Sequence, residues 1–129
     1  MEGEGARILV VDDNAAARRS LVELLSRSGY EVIEAADGFE ATQIWHEARA
    51  DLAILDLFMP GKDGIELMRE FRQLSPGIPV IAMSGGWSYQ PGLSLLKAAQ
   101  HLGALLAIEK PYTAAVMLAT VRQALQTVD

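Results

Sequence analysis

The sequence predicts an α/β fold: a parallel five-stranded sheet with helices on both faces. Three observations carry that expectation. Short apolar runs recur along the 129 residues, each too brief for a helix and suited to a buried strand. Between them lie segments whose apolar residues return at helical spacing. Glycine, proline and Asx turn signals separate the two kinds of segment. Five strands alternating with five helices make βαβ units, and right-handed crossovers leave few topologies for them.

The first strand is 7–11, Arg-Ile-Leu-Val-Val, ended by Asp12 and Asp13. Asn14 is a good N-cap, and Ala17, Leu21, Leu24, Leu25 and Ser28 then form one helical stripe with Gly29 as its stop. Arg18 and Arg19 fall mostly off that stripe and read as a solvated face. The second strand, 31–35, is weaker. Asp37-Gly38 turns the chain into a helix over 39–49, with Ala41, Ile44, Trp45 and Ala48 on one side. The third strand, 52–55, stops at Asp56. Met59-Pro60-Gly61 turns, and a helix over about 65–74 presents Leu67, Met68, Phe71 and Leu74. The fourth strand, 79–83, stops at Ser84 and opens into a polar, glycine-rich loop with Trp87 and Tyr89. A fourth helix is expected at 93–102, a fifth strand at 104–108 before Glu109-Lys110-Pro111, and a last helix capped by Thr113 with the stripe Ala114, Leu118, Val121, Leu125 and Val128.

Composition narrows the function classes. Half the residues are hydrophobic, which suits a packed domain. The formal net charge of −6, without a long basic run, argues against a nucleic-acid surface. Lack of cysteine removes disulfides and thiolate metal sites, and fits a reducing cytoplasm. No apolar run reaches the length of a membrane span, about 18 residues. Residues 1–6 are acidic and Gly-rich, unlike a signal peptide, and read as a flexible lead-in to one domain over 7–129.

In a parallel sheet all strand ends of one sense share an edge, so Asp12, Asp13, Asp56, Ser84 and Lys110 converge on one crevice. Each has an ordinary reading alone: helix-start acids, a turn cap, a turn serine, a surface lysine. Together they are three carboxylates, one hydroxyl and one ammonium. Close carboxylates need a cation, and an oxygen-only donor set without His or Cys favours Mg²⁺. Such a site has the parts to accept a phosphoryl group on a carboxylate. His46 and His101 read as helix-surface residues without a role, and the methionines as core filler.

Val11-Asp12-Asp13, the run Asp56-Leu57-Phe58-Met59-Pro60 with Gly64 behind it, Ser84 after an apolar strand, and Lys110-Pro111 together resemble the receiver domain of two-component response regulators, single-domain chemotaxis regulators included. The resemblance implies a flavodoxin-like, doubly wound sheet of order 2-1-3-4-5. It implies that Asp56 takes a phosphoryl group from a histidine kinase or a histidine phosphotransfer protein. It further implies Mg²⁺ held by Asp13, Asp56 and the Phe58 backbone carbonyl, with Asp12 acting mainly through water. Ser84 and Lys110 would hold the phosphoryl oxygens, and the Lys110-Pro111 bond would be cis. Phosphorylation would then switch the loop after strand four and the face made by helix four, strand five and helix five.

Two features depart from the family pattern. Ala107 stands where many receivers carry a switching aromatic, and the stretch from Ser84 to Lys110 is longer than usual. Trp87 and Tyr89 in that stretch are therefore the expected switch residues. Apolar Phe58 and side-chain-free Gly86 flank the phosphoryl position, which predicts a long-lived phosphoryl group. The chain is expected to be a phosphoacceptor and switch, not an enzyme, located in the cytoplasm as a monomer or weak dimer, with an output protein as partner and neither nucleic acid nor membrane. With no output domain before Asp129, it reads as a single-domain regulator, a relay intermediate or a piece of a longer protein. A haloacid-dehalogenase-style phosphohydrolase would want Asp-x-Asp after strand one, where Asp12 and Asp13 are adjacent. A receiver-like interaction module would not need the intact acid, hydroxyl and lysine set.

Overall fold

β-Branched and leucine-rich runs form the central layer of a computed structural model that describes residues 5–57, 64–85, 101 and 103–127. In chain order the elements are β1 (Arg7–Val11), α1 (Ala15–Arg27), β2 (Glu31–Ala35), α2 (Gly38–Glu47), β3 (Leu52–Asp56), α3 (Gly64–Leu74), β4 (Val80–Gly85), β5 (Leu106–Lys110) and α4 (Ala114–Thr127). The strands are parallel and ordered β2-β1-β3-β4-β5, the flavodoxin-like arrangement. Four helices are therefore seen among the described residues, against five expected. The expected helix at 93–102 lies outside them except for His101, which is helical.

Alternation along each strand explains why the central runs are apolar throughout. Ile8, Val10, Leu52, Ile54, Ile81 and Met83 pack on one face with Leu21 and Leu25 of α1 and Met117 and Val121 of α4. Leu9, Val11, Ala53, Leu55, Val80 and Ala82 pack on the other with Trp45 of α2 and Met68 and Phe71 of α3. Both faces are dry, so no strand position near the centre tolerates a polar residue. Trp45 and Phe71 stack with ring centroids 4.7 Å apart, and Trp45 Nε1 donates to Ser75 Oγ at 3.0 Å.

Local signals set the helix ends. Asn14 Oδ1 accepts from the Ala17 N–H, capping α1. At its other end the Gly29 N–H donates to Ser26 O and the Tyr30 N–H to Leu25 O, with Gly29 at φ +96°, a Schellman stop. Asp37 caps α2 through the Glu40 N–H, while Glu40 Oε1 accepts from the Ala36 N–H. Thr113 Oγ1 caps α4 through the Val116 N–H. Some expectations need correcting. Leu74 is exposed, and α2 ends at Glu47 rather than 49. Among the described residues of α4, Met117, Val121 and Ala124 are fully buried while Leu118 and Leu125 of the expected stripe pack partly buried beside them, so the inward face is rotated from that stripe but overlaps it; Val128 lies outside the described residues.

Candidate functional site

Strand register brings the predicted residues to one edge. Val11 of β1 is paired with Leu55 of β3, so the next residues, Asp12 and Asp56, are neighbours. Asp56 in turn pairs with Met83 of β4, and Ser84 follows it. Ser84 pairs with Glu109 and Gly85 with Lys110. Period-two alternation gives Asp12, Asp56 and Lys110 the same parity as Ile8, Leu52 and Ile108, so all three fall on the α1 side of the sheet.

Lys110 exploits that placement. Its Nζ donates to Asp12 Oδ2 at 2.8 Å and to Asp56 Oδ2 at 3.1 Å, with only 24% of its side chain exposed. Asp12, Asp56 and Ser84 are buried, and Asp13 is exposed. One carboxylate oxygen from each of Asp12, Asp13 and Asp56 lies within 4.8 Å of the other two. Burial by itself would lower the Lys110 pKa. The hydrogen bond to Asp12 and the charges of Asp56 and Asp12 outweigh it and hold the ammonium above its ordinary value. Beside it, burial raises the Tyr112 phenol, with Lys110 opposing and Asp12 adding to the shift.

Asp12 is fixed on all sides. Its N–H donates to Ala35 O at 3.2 Å, its Oδ1 accepts the Asn14 N–H at 2.9 Å, and its carbonyl accepts Arg18 Nη1 at 2.7 Å. Arg18 Nε also donates to Glu34 Oε1 at 2.9 Å. Arg18 is thus not the solvated face residue expected from its place off the apolar stripe, since only 16% of its side chain is exposed. No motif spacing marks a guanidinium whose partners are a backbone carbonyl and a glutamate on another strand.

Such a set is all hard oxygen plus one fixed cation, with no His or Cys in the cluster. It fits a hard divalent ion and the oxygens of a phosphoryl group. The model of the response regulator receiver domain matches residues 8–122. The chain belongs to this family. This receiver is 35% identical over 106 residues to the sporulation initiation phosphotransferase F of Bacillus subtilis, covering 82% of each chain. It is 37% identical over 120 residues to the response regulator MprA of a Mycobacterium species, covering 93% of this chain and 50% of that one. Among solved structures it is similar to NtrX from Brucella abortus, with a TM-score of 0.88 and 31% identity over 95% of this chain and 27% of that one. The receiver thus spans about half of MprA and about a quarter of NtrX.

Of the other predicted residues, Ala107 of the receiver lies in β5 opposite Ala82, half-buried, and Lys110-Pro111 is cis. Phe58, whose carbonyl was expected to bind metal, and Trp87 and Tyr89, the expected switch residues, lie outside the described residues.

Proposed function

We propose that this receiver is the phosphoacceptor of a two-component phosphorelay. An Asp56 carboxylate oxygen attacks the phosphorus of a phosphohistidine on a kinase or phosphotransfer protein. The O–P bond forms as the P–N bond breaks, and the imidazole leaves with the electron pair. Mg²⁺, held by Asp13, Asp56 and the Phe58 carbonyl with Asp12 acting through water, would neutralise charge on the transferring oxygens. Lys110 leaves its bond with Asp56 to meet a phosphoryl oxygen, and Ser84 donates to another. The observation that carries this reading is the single ammonium bridging Asp12 and Asp56, because it places a cation directly beside the acceptor oxygen.

The domain, 7–129, works as a switch rather than a turnover enzyme. Its output runs through the loop after β4, which carries Trp87 and Tyr89, and through the face formed by the expected helix at 93–102, β5 and α4, toward an output protein. Ala107 leaves that signal without an aromatic in β5. We place it in the cytoplasm as a monomer or weak dimer, with neither nucleic acid nor membrane as partner. Among the described residues no helix is long and apolar enough to cross a membrane. Intact mass after incubation with acetyl phosphate and Mg²⁺ tests the acceptor. The expected result is one phosphoryl adduct, lost in Asp56→Asn and in a chelated sample. No adduct from acetyl phosphate, nor from a phosphohistidine donor, overturns it.

A further inference from the structure

We propose that Arg18 is a positioning residue for the acid cluster, holding the β1–α1 turn so that Asp12 and Asp13 meet Mg²⁺ in register; this rests on the phosphoacceptor reading above. Arg18 ties three segments at once. Its backbone N–H, in α1, donates to Asn14 O at 2.9 Å, and its guanidinium makes the other two links. Its Nη1 grips the carbonyl of Asp12 beyond the end of β1, and its Nε is anchored on Glu34 of β2. Glu34 is the register partner of Val10, two residues before Asp12, so the anchor sits on the strand next to the turn.

The peptide group explains why a carbonyl contact matters. The Asp12 carbonyl shares one rigid plane with the N–H and Cα of Asp13. Holding that carbonyl therefore sets the direction in which Asp13 leaves the strand. Asp13 is exposed, so surrounding side chains do not wall it in. Three carboxylates within 4.8 Å also repel one another, and a turn is where a chain relieves repulsion by moving. Mg²⁺ demands near-octahedral oxygens at about 2.0–2.1 Å, so a small displacement of the pair weakens binding. Asp12 has three further hydrogen bonds of its own. Loss of Arg18 is therefore expected to act chiefly on the peptide leading into Asp13.

The test compares the native chain with Arg18→Met, Arg18→Lys, Glu34→Gln and the Arg18→Met/Glu34→Gln pair. Mg²⁺ affinity is read by calorimetry, and phosphoryl uptake from acetyl phosphate is followed against Mg²⁺ concentration. Arg18→Met keeps the apolar stem and is expected to weaken Mg²⁺ about 10-fold, as lost supports of metal ligands do. Uptake at saturating Mg²⁺ should stay native, a split that general loosening would not give. Arg18→Lys keeps the charge without the two-way fork and should not rescue. Glu34→Gln should act in the same direction but less, and add nothing to Arg18→Met. Native Mg²⁺ affinity in Arg18→Met, full rescue by lysine, or additive losses in the pair would each overturn the inference while the native chain still takes a phosphoryl group. A native chain that takes none sinks the phosphoacceptor reading, and the inference with it.

Discussion

At Lys110 one ammonium serves two carboxylates, and its pKa ties the site to stability. Folding holds Lys110 above its ordinary 10.5, so the folded chain binds that proton more tightly than the unfolded one. The contribution is complete below the unfolded pKa and is lost as pH rises through the folded value. Tyr112 acts in the same sense: burial raises its phenol above 10.0, and the unfolded chain ionises first. Urea unfolding from about pH 9 to about pH 11.5 should thus show native stability falling more steeply than that of Lys110→Gln. Equal slopes would remove Lys110 from the account. The difference in tyrosinate absorbance between the native chain and Tyr112→Phe isolates that phenol, with an expected midpoint above 10.0. Asp12, Asp56, Ser84 and Lys110 could be read in the sequence because each closes an apolar strand, a local pattern. Arg18 could not. Its partners are a carbonyl six residues back and a glutamate sixteen residues on, chosen by the packing of α1 on β1 and β2.

Elements buried on both faces are the easiest to read, since β1, β3 and β4 are apolar between their end residues Arg7, Asp56, Ser84 and Gly85 and pack against apolar side chains on each side. Element ends were harder where pairing, rather than hydrophobicity, decides them. β5 runs over Leu106–Lys110, two residues later than its apolar stretch suggests, because Glu109 and Lys110 pair with Ser84 and Gly85. The face of α4 misled for a related reason: Leu118 and Leu125 flank the core while smaller Ala124 meets it. Two glycines at element boundaries give a graded prediction. Gly29 ends α1 at φ +96° with open space around a future Cβ, so Gly29→Ala costs backbone strain alone, about 1–2 kcal/mol. Gly103, at φ +129° before β5, would place a Cβ 2.7 Å from Cδ of Arg72 in α3. Arg72 is exposed and its flexible side chain can swing aside, so an excess of Gly103→Ala over Gly29→Ala comes from the backbone at φ +129°, and Arg72→Ala in the same chain should return little of it. Chemical denaturation checks both, and an excess removed by Arg72→Ala would assign the cost to that side chain instead.

Across the whole molecule, the sheet edge that suits phosphoryl chemistry is a source of self-repulsion when no metal is bound. Asp12, Asp13 and Asp56 lie within 4.8 Å of one another around one ammonium. Asp13 is the exposed member, so neutralising it removes repulsion without leaving a buried group unpaired. Asp13→Asn is expected to stabilise the metal-free chain by about 1 kcal/mol, the scale of a solvent-screened charge pair. A ligand that binds only the folded state stabilises it by about 2.7 kcal/mol at a hundredfold excess over its dissociation constant. In a domain of this size that corresponds to roughly 10 °C in melting temperature. Thermal unfolding of the native chain should rise by this order with Mg²⁺ and return to its starting value with a chelator. In Asp13→Asn the starting value should be higher and the Mg²⁺ increment much smaller, because a neutral amide is a poorer ligand for a hard cation. The two effects share one cause, the density of negative charge needed to hold the ion, so they must appear together. A variant that gains stability yet keeps the full Mg²⁺ increment would move the ion away from Asp13. A variant that loses stability would show that the acid cluster is not repulsive in the folded chain.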